Sequence, residues 1–206
     1  MGVESAFVAV ARPGPPADCP AARTPQLPGS SCIGKLICED LARVSPEERN
    51  EMESVTSGGL TTDMAGLRES VGQSVGHPEW VEMTQEEVDQ FAELTGDHNF
   101  LHVDPDRAAT TPFGGTITHG CLSLSLLAPV TQRLEVSDAA TAVNYGLDKV
   151  RFPAPLPVGA RWRGTAHLTE VTETKGGLQS KMTATIEVMG SERPAVVADT
   201  IVRCYA

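Results

Sequence analysis

The sequence predicts an α+β domain, an antiparallel sheet covered by a helix, and three observations carry that prediction. Runs from Arg161 to Val171 and from Leu178 to Met189 alternate apolar with polar residues at a period of two. Short Gly-containing connectors, Gly176-Gly177 and the Gly190 to Pro194 stretch, join the last three strand-like runs into an antiparallel meander. Ahead of them, His119 to Val130 is apolar almost all round, the pattern of a helix that wants full burial. At 206 residues, one core with an appendage is the expected organisation.

Taken in chain order, Ala11 to Ser31 is rich in Pro, Gly and Ala and holds no sustained period, so it reads as disordered. Short helices are expected at Ile33 to Val44 and Pro46 to Met52, but they lie among polar and Gly-rich stretches and promise little stability. Residues 1–63 are therefore assigned to a disordered N-terminal extension and 64–206 to the folded domain. Met52 and Met64 would each start a chain that lacks this prefix. Ordered patterning begins near Leu67. At Thr84-Gln85-Glu86-Glu87 a capping box starts a helix, with Val88, Phe91, Ala92 and Leu94 as its apolar face and Gly96 as its left-handed cap. Asp104-Pro105 offers a second N-cap followed by Pro, which starts a short helix through Ala109 before Pro112. Strands then follow at Ala142 to Phe152, Arg161 to Val171, Leu178 to Met189 and Ala195 to Tyr205. In the second, Trp162, Gly164, Ala166 and Leu168 share a face. In the third, Met182, Ala184, Ile186 and Val188 oppose Lys181, Thr183, Thr185 and Glu187.

Composition narrows the function. A net charge of -11 repels phosphate backbones and anionic lipid, and there is no basic run to override it, so nucleic acid is excluded as a partner. Lys149 with Arg151, or Arg161 with Arg163, could still favour a small anionic ligand locally. The five cysteines form no CxxC pair and no apolar run is long enough to span a bilayer, so a reduced, cytoplasmic protein without membrane attachment is expected.

The densest group of reactive side chains is Gly96-Asp97-His98-Asn99-Phe100-Leu101-His102-Val103-Asp104, between two predicted helices. Five positions separate Asp97 from His102, which puts them about 140° apart on a helix and on opposite faces of a strand. Only a curved loop lets them converge, and read alone the spacing supports no more than a polar loop. His98, His102 and Asp104 are ligand types, but nothing completes a metal site at a recognised spacing, and none is expected. His119 could be a ligand or catalytic, or simply pack at a helix start. His167 reads as a surface residue and Cys121 as an inert buried thiol.

Phe91-Ala92-Glu93-Leu94-Thr95-Gly96-Asp97-His98-Asn99-Phe100-Leu101-His102-Val103-Asp104-Pro105, with Gly114-Gly115-Thr116-Ile117-Thr118-His119-Gly120, resembles the MaoC-like, (R)-specific enoyl-CoA hydratase family, in its short single-domain actinobacterial form. Asn144-Tyr145-Gly146-Leu147 and Val150-Arg151-Phe152-Pro153-Ala154-Pro155 fit the same family. The match runs from about Leu67 to Ala206, with one departure: Phe100 stands where many members have Pro. The resemblance implies a hot-dog fold, in which an antiparallel sheet wraps a long central helix. It also implies reversible syn addition of water to a trans-2-enoyl thioester, with Asp97 and His102 as the acid/base pair and the Gly120 N–H as oxyanion donor, reinforced by the helix dipole. Asn99, His119, Asn144, Tyr145 and Gly146 are expected to bind substrate or support the pair, although Asn99 could equally be a turn former. An acyl-CoA or acyl-carrier thioester is then substrate, no metal or redox cofactor is needed, and a homodimer joined edge to edge closes the site.

Two rivals remain open at this level. A hot-dog thioesterase would use a carboxylate on the central helix, but His119 to Gln132 contains none. A non-catalytic acyl-binding module would have no need to keep both Asp97 and His102.

Overall fold

A computed structural model describes residues 58–206. The two short helices expected before residue 57 and nearly all of the N-terminal extension lie outside the described residues. Its last positions do not: Leu60–Thr62 is a strand, β1, pairing in parallel with β3, Leu134–Val136. This strand lies on the N-terminal side of residue 64, where the folded domain is expected to begin. Thr61 finds its partner at Glu135, a pairing with no trace in local periodicity.

Next come β2 (Ser74–Glu82) and α1 (Gln85–Thr95). The N-cap of α1 is as expected: the Thr84 N–H and hydroxyl each donate to Glu87 Oε2 at 2.8 Å, and Glu87 N–H donates back to Thr84 Oγ1. Gly96 closes the helix with φ 76°, a left-handed conformation that favours glycine. Two single-turn helices follow, α2 (Phe100–Val103) and α3 (Pro105–Ala108). Asp104 caps α3 by accepting from Arg107 N–H at 3.0 Å.

The central helix differs from expectation. It is two short helices, α4 (Gly120–Ser125) and α5 (Leu127–Thr131), broken at Leu126. Pro129 explains the break, because it has no N–H to donate to the Ser125 carbonyl and its ring crowds that turn. Burial is one-sided as well: Ser123, Leu127 and Val130 are buried, whereas Cys121, Ser125, Ala128 and Pro129 are exposed.

Four strands complete the domain: β4 (Thr141–Arg151), β5 (Arg161–Thr174), β6 (Gly177–Val188) and β7 (Val196–Tyr205). They form with β2 an antiparallel sheet in the order β2-β5-β6-β7-β4. The predicted alternation holds residue by residue in β6, where every second side chain from Leu178 to Val188 is buried. Val130 and Leu127 of α5 pack against this face with Met182, Ala184 and Ile186. At Gly164 on β5 the approach is closest: a Cβ there would stand 2.3 Å from Val130 Cγ2, so only glycine admits the helix. This is the hot-dog arrangement of a sheet curved over a helix, here with a helix in two pieces.

The sheet edges behave differently. β2 carries Pro78 at a register shift between His77 and Val81, which blurs its alternation and is tolerated because one side of the strand has no neighbour. β4 is exposed on both faces over most of its length, with Val143, Tyr145 and Leu147 at 46%, 56% and 40% exposure.

Candidate active site

The acid/base candidates are brought together by a segment that docks on another by hydrogen bonds to backbone. Leu101 accepts from Ile117 N–H at 2.9 Å, and His102 Nδ1 donates to the Ile117 carbonyl at 2.7 Å. That carbonyl can only accept, so Nδ1 carries the hydrogen, and in the neutral ring the lone pair is then on Nε2. His119 Nε2 donates to the Asp97 carbonyl at 2.9 Å, closing the opposite end of the loop. One carboxylate oxygen of Asp97 and one ring nitrogen from each of His102 and His119 lie within 4.8 Å of one another. A single water accepting and donating hydrogen bonds of about 2.8 Å at a near-tetrahedral angle bridges about 4.6 Å. The geometry thus suits two polar groups sharing one water.

Asp97 is exposed, His102 half-buried and His119 buried, so the cluster runs from the surface inward. The His102 and His119 rings stack with centroids 3.8 Å apart and planes tilted by 31°. A metal lies in the plane of each imidazole that binds it, and stacked rings send their in-plane lone pairs past one another. His102 Nδ1 and His119 Nε2 are in addition already spent on carbonyls. This donor set suits hydrogen bonding and proton transfer better than metal ligation. The other ligand types weighed in the sequence do not join it: His98 is exposed and faces Glu93 at 3.9 Å, and Asp104 is occupied as a helix cap.

The remaining candidates divide. Gly120 follows His119 as the first residue of α4, where its N–H has no acceptor within the helix. Phe152 covers its Cα, with ring carbons 3.5–3.6 Å from where a Cβ would sit. Because α4 is only six residues long, any dipole contribution comes from its first turn and not from a long helix. Asn99 is the N-cap of α2, its Oδ1 accepting from Leu101 N–H at 3.1 Å, and this shapes the loop between Asp97 and His102. Phe100, the departure from the family pattern, is the first residue of α2, a position that accommodates Pro because its N–H has no acceptor within the helix. Its ring supports the Arg107 guanidinium at 3.8 Å.

Asn144, Tyr145 and Gly146 lie on β4, and among the described residues none of them hydrogen-bonds to Asp97 or His102. Tyr145 is bulged out of the ladder between Asn144 and Gly146, and its ring carries the Arg203 guanidinium at 3.3 Å. Asn144 lines a groove of about 650 Å³ between α4–α5 and β4, with Cys121, Leu124, Leu127, Leu147 and Val202 also on its wall. Cys121 is exposed there and not buried as expected, because the outward face of α4 is uncovered. Cys204 is buried, and desolvation raises its thiol above the usual range.

One supporting residue left no sign in the sequence. Gln85, first in α1, donates through Nε2 to the His102 carbonyl at 2.7 Å and accepts at Oε1 from Thr116 Oγ1 at 2.7 Å. It clamps both segments of the site from a third element, and nothing but its polarity at a helix start could have drawn attention to it.

With this geometry in view, comparison with known proteins decides the family. Residues 67–191 match the model of the MaoC like domain. The chain belongs to the MaoC-like dehydratase family. It is 49% identical over 145 residues to 3-hydroxyacyl-thioester dehydratase Z of Mycobacterium tuberculosis, an alignment covering 69% of this chain and 96% of that protein. It is 40% identical over 143 residues to Nodulation protein N of Rhizobium leguminosarum bv. viciae, covering 67% and 88%. Among solved structures, the (R)-hydratase from A. caviae involved in PHA biosynthesis superposes with a TM-score of 0.55 at 31% identity, covering 64% of this chain and 94% of that one. As in those MaoC-like proteins, the fold here is the hot dog. No helix among the described residues is long and apolar enough to cross a membrane.

Proposed function

We propose that this MaoC-like protein is an (R)-specific hydratase/dehydratase of acyl thioesters, adding water reversibly and syn across the C2–C3 double bond of a trans-2-enoyl-CoA. The observation that carries the reading is the convergence of the Asp97 carboxylate and the His102 imidazole within 4.8 Å, in the MaoC-like loop and on the hot-dog scaffold. His102 Nδ1–H is held by the Ile117 carbonyl, which supports Nε2 as the base that takes a proton from water. Asp97 holds the same water from its other side. The water oxygen bonds to C3, the C2–C3 π pair moves toward the thioester, and negative charge develops on its oxygen. The Gly120 N–H stabilises that charge. C2 then takes the proton on the face from which water came, so the addition is syn, and dehydration retraces the same steps.

The acyl chain follows the groove that starts beside Gly120 at Cys121 and is walled by Leu124, Leu127, Leu147 and Val202. A homodimer is supported by β4, a free edge strand exposing Val143, Tyr145 and Leu147 that a second copy would cover. The addition changes no oxidation state, so it calls for no redox cofactor, and Asp97 and His102 are the groups assigned to activate the water in place of a metal. A reducing cytoplasm suits the free thiols of Cys121 and Cys204.

Loss of enoyl absorbance on crotonyl-CoA tests the reading. Wild type consumes the enoyl thioester without releasing thiol, whereas Asp97→Asn and His102→Ala each keep the fold and lose at least ~100-fold in rate. Near-wild-type hydration by either variant, or thiol release in place of hydration, contradicts it.

A further inference from the structure

His119 is 2% exposed and stands at the N-cap of α4, yet its side chain makes no capping hydrogen bond. The position normally goes to Ser, Thr, Asp or Asn, whose oxygen binds a free N–H of the first turn. Here the side chain turns the other way. Nε2–H donates to the Asp97 carbonyl at 2.9 Å, the ring stacks on His102 at 3.8 Å, and the Phe91 ring lies tilted against it with centroids 5.0 Å apart. Nδ1 is buried without a partner, so the single hydrogen bond that this side chain makes among the described residues goes to the acid/base loop. Asp97 itself is exposed, and the other bonds of its neighbourhood are local, such as Asn99 N–H to Asp97 Oδ1 at 3.3 Å and Asp97 N–H to Thr95 Oγ1 at 3.4 Å. Among the described residues, His119 is the one whose side chain hydrogen-bonds the Asp97 end of the loop to the start of the helix whose first residue is Gly120.

We propose that His119 is a positioning residue: its Nε2–H···O=C bond to Asp97, together with its stack beneath His102, sets the distance between the acid/base pair and Gly120. The proposal rests on the hydratase reading above for its consequence on rate, but not for the coupling itself. A residue that only filled space would be replaceable by an apolar side chain of similar size, whereas a positioning residue is replaceable only by one that keeps the N–H.

The full chain separates these roles through His119→Leu, which removes the donor, and His119→Gln, whose amide nitrogen can reach the same carbonyl. With trans-2-enoyl-CoA, the Leu variant is expected to lose about 10- to 100-fold in kcat with KM within about threefold, since misplacement of reacting groups acts on the chemical step. The Gln variant is expected to recover to within about threefold of wild type. Amide hydrogen exchange at Asp97 to Asn99 is read alongside, and is expected to accelerate in the Leu variant but not in the Gln variant. Equal kcat in the two variants, a loss confined to KM, or equal exchange overturns the proposal. Should the Leu variant fail to fold, His119→Asn, whose shorter amide stops near the Nδ1 position, replaces it with the same expectations. If wild type does not hydrate enoyl thioesters, the hydratase reading falls, and the exchange comparison still decides whether His119 couples the two segments.

Discussion

The β5–β6–β7 meander and the segment from Gly96 to Gly120 are held by different forces. In the meander, alternate side chains bury apolar surface against α5, and adjacent strands supply the backbone bonds. In the site segment only Ala108, Thr116, Thr118 and His119 are buried, and order comes from single hydrogen bonds to carbonyls of distant residues. The contrast teaches that stability and catalytic geometry are separable here. Changes in the meander should cost folding free energy and spare the chemistry of the molecules that remain folded. Changes in the site segment should do the reverse.

The largest effect tests the first half. Met182, 1% exposed on β6, lies under the helix, and Met182→Ala is expected to cost about 2–5 kcal/mol in urea unfolding through lost burial and the cavity left behind. The kcat of the folded fraction should be unchanged, and a matching fall in kcat would break the comparison. A smaller effect is expected at Gln85, which holds the site segment from α1. Gln85→Leu leaves Thr116 Oγ1 and the His102 carbonyl without their partner, at a cost of about 1–3 kcal/mol. Because the same bonds hold the loop, kcat is also expected to fall about tenfold, measured by enoyl absorbance. The smallest effect is at Phe100. Replacing it with Pro removes a ring contact to Arg107 worth about 0.5–1 kcal/mol and gains a similar amount from a stiffer unfolded chain. Thermal unfolding and kcat should both stay close to wild type, and a clear loss of either would show that the loop is more particular about its helix start than its geometry implies.

What could be read in advance follows the same division. Thr84, Glu87 and Gly96 bracket α1 by contacts within the helix itself, and the alternation of Leu178 to Val188 is a property of adjacent residues, so both were legible. β2 was not assigned as a strand, because Pro78 and its bulge interrupt the period, and β1 finds its partner in β3 from far along the chain. The helix from His119 onward was legible as a helix but not as a broken, half-exposed one. Its apolar residues signalled burial all round, while Pro129 stops the first turn from continuing. Asp97 and His102 could be named only through resemblance, since a five-residue spacing has no fixed geometry of its own. Gln85 bonds to residues 17 and 31 positions away, and His119 to one 22 positions away, separations that leave no local pattern.

The central claim is that Asp97 and His102 act as one unit on a single water, and a double-mutant cycle on enoyl-CoA hydration tests it most directly. Asp97→Asn, His102→Ala and the double variant are compared by kcat/KM, with circular dichroism to show that each is folded. If the two share a water, removing the second group after the first costs little, and the double variant falls to about the level of the worse single variant. Losses that multiply, so that the double variant drops by the product of the two single effects, would mean that the groups act independently and would contradict the account.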